Sequence, residues 1–141
     1  VIGRPVIVDT NIVVAGLLTA DEASPVARVL DGMLAGAFPF VVSETLLAEY
    51  HGVLMRPRIS RFHGLGLTQV ETILTDIAQH AIVLVPVAAA AAPEPGDQLL
   101  WDLLAARDDL VLVTGDKLLQ QDAAMTGRIM SPRAFVETDH V

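Results

Sequence analysis

"PVIVDTN", residues 5 to 11, decides how the rest of the chain is read. Pro5 to Asp9 is an apolar run that reads as a strand and stops abruptly at a carboxylate. Thr10 and Asn11 follow, and then the chain turns hydrophobic again through Leu18. Taken alone, Asp9 reads as well as a mere helix cap or turn former as it does as a functional acid. What separates those readings is the company it keeps at the ends of the later strands.

Working outward, Ser24-Pro25 carries an N-cap residue and a first-turn proline. Val26, Val29, Leu30, Met33 and Leu34 then keep helical spacing, and Gly36 ends the helix. "FPFVVS", residues 38 to 43, is a second strand, and Ser43 caps a helix to about Leu54. Residues 55 to 67 are rich in Arg, Pro and Gly and read as a loop or a broken helix. Thr68 with Glu71 predicts a capping box for a helix to about His80. "AIVLVPV", residues 81 to 87, is a third strand. In "AAAAAPEPG" the prolines and glycine stop any helix the alanines start. Asp97 stands where an N-cap belongs before "QLLWDLLAA", and "LVLVT", residues 110 to 114, is a fourth strand ending in "GDK". A short closing element follows Arg128, with Ser131-Pro132 opening a last turn. Strands rich in Val, Ile and Leu that alternate with helices predict an α/β fold. The expectation is one domain over residues 1 to 141: a central parallel sheet of four or five strands, sandwiched between helices.

The 141 residues suffice for one core and are too few for two ordinary domains. A hydrophobic fraction of 52% leaves little room for a disordered tail. No apolar run nears the roughly 20 residues of a membrane span, and the first residues show no secretory pattern. The chain has no cysteine, which excludes disulfides and thiolate metal sites and fits a cytoplasmic location. The net charge of −8 weighs against a nucleic-acid binder, unless bound cations invert the local field. The one basic cluster is "RPRISR", with Arg56, Arg58 and Arg61; Lys117 is the sole lysine.

In a parallel α/β sheet, ligands sit beyond the carboxyl ends of the strands. Asp9 ends the first strand, Asp116 follows the fourth, and Asp97 opens the helix after the third. The helix after the second strand offers Glu44 and Glu49, which lie about 140° apart around its axis. Glu49, flanked by Leu46 and Val53, falls on or beside the inward face; Glu44 is a first-turn acid favoured by the helix dipole. Oxygen-only ligands suit a hard cation, Mg²⁺ or Mn²⁺. Such an ion can activate a water against a phosphodiester. Thr10, Asn11 and Thr114 are the polar groups suited to orient ligands and waters there.

"VIVDTNIVVAGLL", "VVSETLLAEYHGVL", "GDQLLWDLLAA" and "LVLVTGDKLL", in that order, resemble a PIN domain, the PilT N-terminus-like nuclease fold. Order and spacing are similar to the bacterial toxins of toxin–antitoxin modules. The resemblance implies a Mg²⁺- or Mn²⁺-dependent endoribonuclease, with Asp9, Glu49, Asp97 and Asp116 as metal-binding and catalytic acids. It also implies Thr114 as the hydroxyl before the last acid and Asn11 as the polar residue after the first. A cognate antitoxin partner and an RNA substrate, single-stranded or structured, are implied by the resemblance alone.

The third motif offers Asp102 besides Asp97; Asp97 leads the helix, whereas Asp102 lies more than a turn further on. Arg56, Arg58, Arg61 and Lys117 are the candidate RNA contacts. Trp101, among leucines, reads as a core or interface residue, and Tyr50 as packing. His51, His63, His80 and His140 have no spaced partners and take no role. A homodimer is expected from so apolar a chain.

A haloacid-dehalogenase-like phosphatase is the rival enzyme. It needs a second acid two residues after the first, where this chain has Asn11, and it needs Thr and Lys motifs further apart than Thr114 and Lys117. The rival from another class is a PIN-like module that binds RNA or protein without cutting.

Overall fold

Val6–Val8 forms the central strand, β1, and its three side chains are at most 1% exposed. Such complete burial requires cover on both faces, the condition of a parallel strand between helical layers. The computed structural model describes residues 3–122, 125 and 127–139; His140, one of the four histidines, lies outside them. β1 pairs in parallel with β4 (Val111–Val113), Ile7 opposite Leu112, and β4 pairs in parallel with β5 (Ile129–Met130). On the other side of β1, Val6 bridges to Phe40 and its N–H donates to the Pro39 carbonyl at 3.1 Å. That bridge leads into β2 (Val41–Val42), which pairs in parallel with β3 (Ile82–Val83). The spatial order is β3-β2-β1-β4-β5, so the carboxyl ends of all five strands share one rim.

Eight α-helices connect the strands in the described residues: α1 (Thr10–Leu18), α2 (Pro25–Ala35), α3 (Glu44–Leu54), α4 (Pro57–His63), α5 (Leu67–His80), α6 (Gln98–Leu104), α7 (Lys117–Gln120) and α8 (Pro132–Asp139). Ser24 and Ser43 cap α2 and α3 as their positions predict, accepting from the Ala27 and Leu46 amides. Gly36 ends α2 in the left-handed conformation, φ 66°. Trp101 and Tyr50 are both core residues.

Several elements depart from the pattern in the sequence. The apolar stretch after Asp9 is a helix, α1, although Ile12-Val13-Val14 is a β-branched run that disfavours one. Its packing overrides that preference: a Cβ on Gly16 would meet the Val26 carbonyl oxygen at 2.6 Å, so α1 lies almost backbone to backbone on α2. Residues 57–63 are helical because Pro57 occupies the first turn and Gly64, φ 67°, stops it. Thr68 does not cap α5. The helix starts one residue earlier, and the Gln69 side chain accepts from the Gly66 N–H at 2.9 Å. The third strand pairs only at Ile82–Val83; beyond Leu84, whose N–H donates to the Val42 carbonyl, the chain leaves the sheet with Val85 and Val87 exposed. The closing element is strand β5, and the last turn is a full helix, α8. No described helix is long and apolar enough to cross a membrane.

Candidate active site

Asp9 follows β1 directly, and its N–H still donates to the Val113 carbonyl at 3.0 Å, so the backbone of the sheet fixes its position. It occupies the N-cap position of α1, yet its side chain caps nothing. Its Oδ2 accepts from the Thr114 hydroxyl across the sheet at 2.7 Å. Asp9 therefore does more than stand at a helix start: its carboxylate is tied across the sheet. Thr114, fully buried at the end of β4, also accepts the Asp116 N–H on the same hydroxyl at 3.0 Å. One hydroxyl thus links the first acid to the last. The Gln120 amide holds the Thr114 carbonyl at 2.6 Å from behind.

Burial pushes the Asp9 carboxyl above its usual range, against the lowering effect of Thr114 and the Asn11 and Thr10 amides; Asp116 adds to the rise. Asp97 ends a 3-10 turn (Pro95–Asp97) before α6 and, like Asp9, makes no capping bond. Its carboxyl is also raised, first by burial and then by the negative charges of Asp9, Asp116, Glu94 and Glu49. Every charge in that set is negative, so the charges of Asp9, Glu49 and Asp116 all reach Asp97 across the rim. Glu49 is half-buried on α3 while Glu44 is exposed, as the helical geometry predicts. Asp116 caps a helix although its position did not suggest it: its Oδ1 accepts from the Leu118 N–H and opens α7.

Asp102 is engaged elsewhere. Its Oδ1 accepts from the Ala89 N–H at 3.1 Å and the Gln98 amide at 3.0 Å, tying the exposed 84–92 connection to α6. Asn11 is exposed, and Lys117 is exposed at the start of α7. Arg56, Arg58 and Arg61 are exposed on and beside α4. The chain's residue order did not single out Glu94; an acid three positions before Asp97 in a proline-bounded turn was the available signal. Nor did it reveal that the buried Tyr50 hydroxyl donates to the Val8 carbonyl at 2.5 Å, immediately before Asp9.

Residues 5–118 match the family model of the PIN domain, a span that runs from the strand before Asp9 to just past Asp116. The chain belongs to the PIN domain family. PIN domains are generally nucleases and typically depend on metal ions. The α/β sheet of parallel strands agrees with that membership, which leaves the phosphatase reading without support. No curated protein matches the chain significantly.

Among the described residues, no three His, Cys, Asp or Glu side chains stand close enough together to cage an ion. The donors still fit a hard cation that keeps most of its own waters, because Mg²⁺ needs only one or two carboxylates. They are all oxygen, and Asp9 is rigidly held. Beside it the Thr10 hydroxyl is buried without a hydrogen-bond partner, a polar atom that water or a hydrated ion would satisfy.

Proposed function

We propose that this PIN domain is a Mg²⁺- or Mn²⁺-dependent endoribonuclease, with Asp9, Glu49, Asp97 and Asp116 as its acids. The observation that supports this most is the Asp97 carboxyl, raised first by burial and then by Asp9, Asp116, Glu94 and Glu49, with no base among them. Carboxylates gathered in this way are unfavourable without a cation. A divalent ion bound there supplies Lewis acidity toward a phosphate and lowers the pKa of an attacking water. Asp9, fixed by the sheet and by Thr114, is the anchoring ligand; Thr114 and Thr10 orient what binds beside it, and Asn11 stands at the exposed mouth. Glu49 and Asp97 approach from α3 and α6 as partners to that anchor.

The test is cleavage of a labelled single-stranded RNA in Mg²⁺ and in chelator by paired neutral variants. Glu49→Gln and Asp97→Asn are expected to slow cleavage by ~100-fold or more, within the range for groups acting in the reaction. Glu44→Gln should stay within about 2-fold, because its side chain is exposed about 140° away. Asp102→Asn should do the same, since an amide oxygen can keep both bonds that Asp102 Oδ1 accepts. Equal losses within either pair would dismiss the assignment, and no metal-dependent cleavage by the wild type would favour a binding module that does not cut.

The similarity to toxin–antitoxin toxins supports a finer reading: the toxin of such a module, acting in the cytoplasm and held by a protein antitoxin. Expression of the chain alone in bacteria should arrest growth, and Asp9→Asn should not. The exposed apolar row Val83, Val85 and Val87 supports the homodimer; monomer alone by sedimentation at micromolar concentration removes it.

A further inference from the structure

Helix α4 carries a feature that the acid cluster does not explain. Phe62 is 81% exposed, and Arg58 and Arg61 share its cleft; Arg56, Pro57 and Ile59 complete a second cleft on its flank. Between Glu49 and Glu71 there is no acidic residue, so this stretch is locally basic in a chain of net charge −8. Of the other arginines, Arg4 and Arg128 donate to carbonyls and Arg107 pairs with Asp109, while Arg28 and Arg133 line a cleft that also holds Asp21 and Glu137. The guanidinium groups of Arg56, Arg58 and Arg61 have no hydrogen bond or ion pair with any described residue. The helix itself is held firmly. His63 Nε2 bonds the Leu54 carbonyl at 2.8 Å and His63 Nδ1 accepts the Leu65 N–H at 2.9 Å, fastening α4 to the end of α3. α4 also packs on α1. It is therefore braced against both helices that carry the site, α1 beginning after Asp9 and α3 bearing Glu49.

We propose that α4 is a single-strand RNA clamp: an unpaired base stacks on Phe62 while Arg56, Arg58 and Arg61 hold the flanking phosphates. An exposed aromatic face among unpaired cations is the combination that binds single strands without reading sequence, because every base has a π-face and every nucleotide a phosphate. Duplex RNA keeps its bases stacked inside and offers Phe62 nothing. The choice of RNA rests on the nuclease reading, and the position of α4 supplies what the acid cluster lacks, an attraction for a polyanion.

The probe is a labelled unstructured RNA of about 12 nucleotides, a length within the usual single-strand site sizes. Binding is read by fluorescence anisotropy in chelator, where nothing is cut. Phe62→Ala should weaken binding ~10-fold and Phe62→Tyr by less than about 2-fold, because only the first removes the stacking face. Arg58→Gln with Arg61→Gln should flatten the slope of log affinity against log salt by about 1.4, two phosphate contacts' worth. A duplex of the same length should not respond to Phe62→Ala, and polyglutamate should bind weakly and ignore it. Wild-type affinity in Phe62→Ala overturns the clamp. So does polyglutamate binding that depends on Phe62, which would make α4 a dock for an acidic protein. The two readings fail separately. RNA held through Phe62 but not cut in Mg²⁺ keeps the clamp and removes the nuclease; RNA cut equally with and without Phe62 does the reverse.

Discussion

Asp9→Asn should melt higher than the wild type in chelator and cut RNA at least ~1000-fold more slowly in Mg²⁺. The two effects have one cause. Asp9 is 7% exposed, and burial raises its carboxyl above the ordinary 3.8. In the window that opens at 3.8 and extends to the raised value, the folded state binds more protons than the unfolded chain. Stability therefore falls as pH rises through that window, and the full penalty is present above the raised value. Asparagine removes the charge and keeps the shape, and its amide oxygen can still accept from Thr114. The gain should be on the order of 1 kcal/mol, or about 3 °C in Tm for a domain of this size. It should shrink toward zero below pH 3.8, where the wild-type carboxylate is protonated in both states. Millimolar Mg²⁺ should raise the wild-type Tm by mass action and the variant's much less. Paired thermal melts at pH 7 check this. A variant that melts lower in chelator, with no Mg²⁺ shift in either protein, would mean that these acids do not form a cation site.

The largest effect on stability is expected at Tyr50. Tyr50→Ala should cost about 3–5 kcal/mol, because the ring is fully buried and the hole cannot collapse. Against a typical total of 5–15 kcal/mol, that loss would leave part of the population unfolded. Tyr50→Phe keeps the ring and removes only the donor to the Val8 carbonyl, an expected cost of about 1–2 kcal/mol. The hydroxyl is never ionised near neutrality, since burial and the charges of Asp9 and Glu49 push it well above its usual value. It therefore remains a donor that ties α3 to the last residue before Asp9. Urea unfolding separates the contributions: both variants should shift the midpoint at constant m-value, Ala by far the more. Similar losses in the two would assign the whole effect to the hydroxyl. Tyr50→Phe should also slow cleavage several-fold while it remains folded, because Asp9 and Glu49 are no longer fastened to each other.

The parts of the fold legible in the sequence are those where local and tertiary preferences agree. Ser24-Pro25 and Ser43 start helices because their hydroxyls cap in any context. The strands through Ile7 and Leu112 show as short β-branched and leucine runs because both faces are buried. α1 was hidden because Ile12-Val13-Val14 has strand propensity and no polar face, and only contact with α2 makes it helical. Thr68 and Glu71 match a capping pattern that Gly66 and Gln69 supply instead, since a backbone N–H accepts help from whichever side chain reaches it. At the site, the acids were legible from their places after strands. The cross-sheet bond of Asp9 was not, because a cap and a cross-sheet hydrogen bond ask for the same residue type. Glu94, Tyr50 and Phe62 act through distance, burial and exposure, which a linear pattern does not carry.

The bond between Thr114 and Asp9 joins residues 105 positions apart. At 5–20 residues per second, roughly 5–20 s of synthesis separate the two ends of that bond. β1 emerges from the ribosome long before β4 exists to pair with it, and pairing across so long a loop is intrinsically slow. Until β4 arrives, Asp9 has neither the Val113 carbonyl that positions its backbone nor the hydroxyl that holds its side chain. The acid cluster is thus a late product of folding, and a nascent chain stopped before residue 110 carries three of its four acids and none of its geometry. Such an arrangement leaves the site incomplete until β4 has been made and paired with β1.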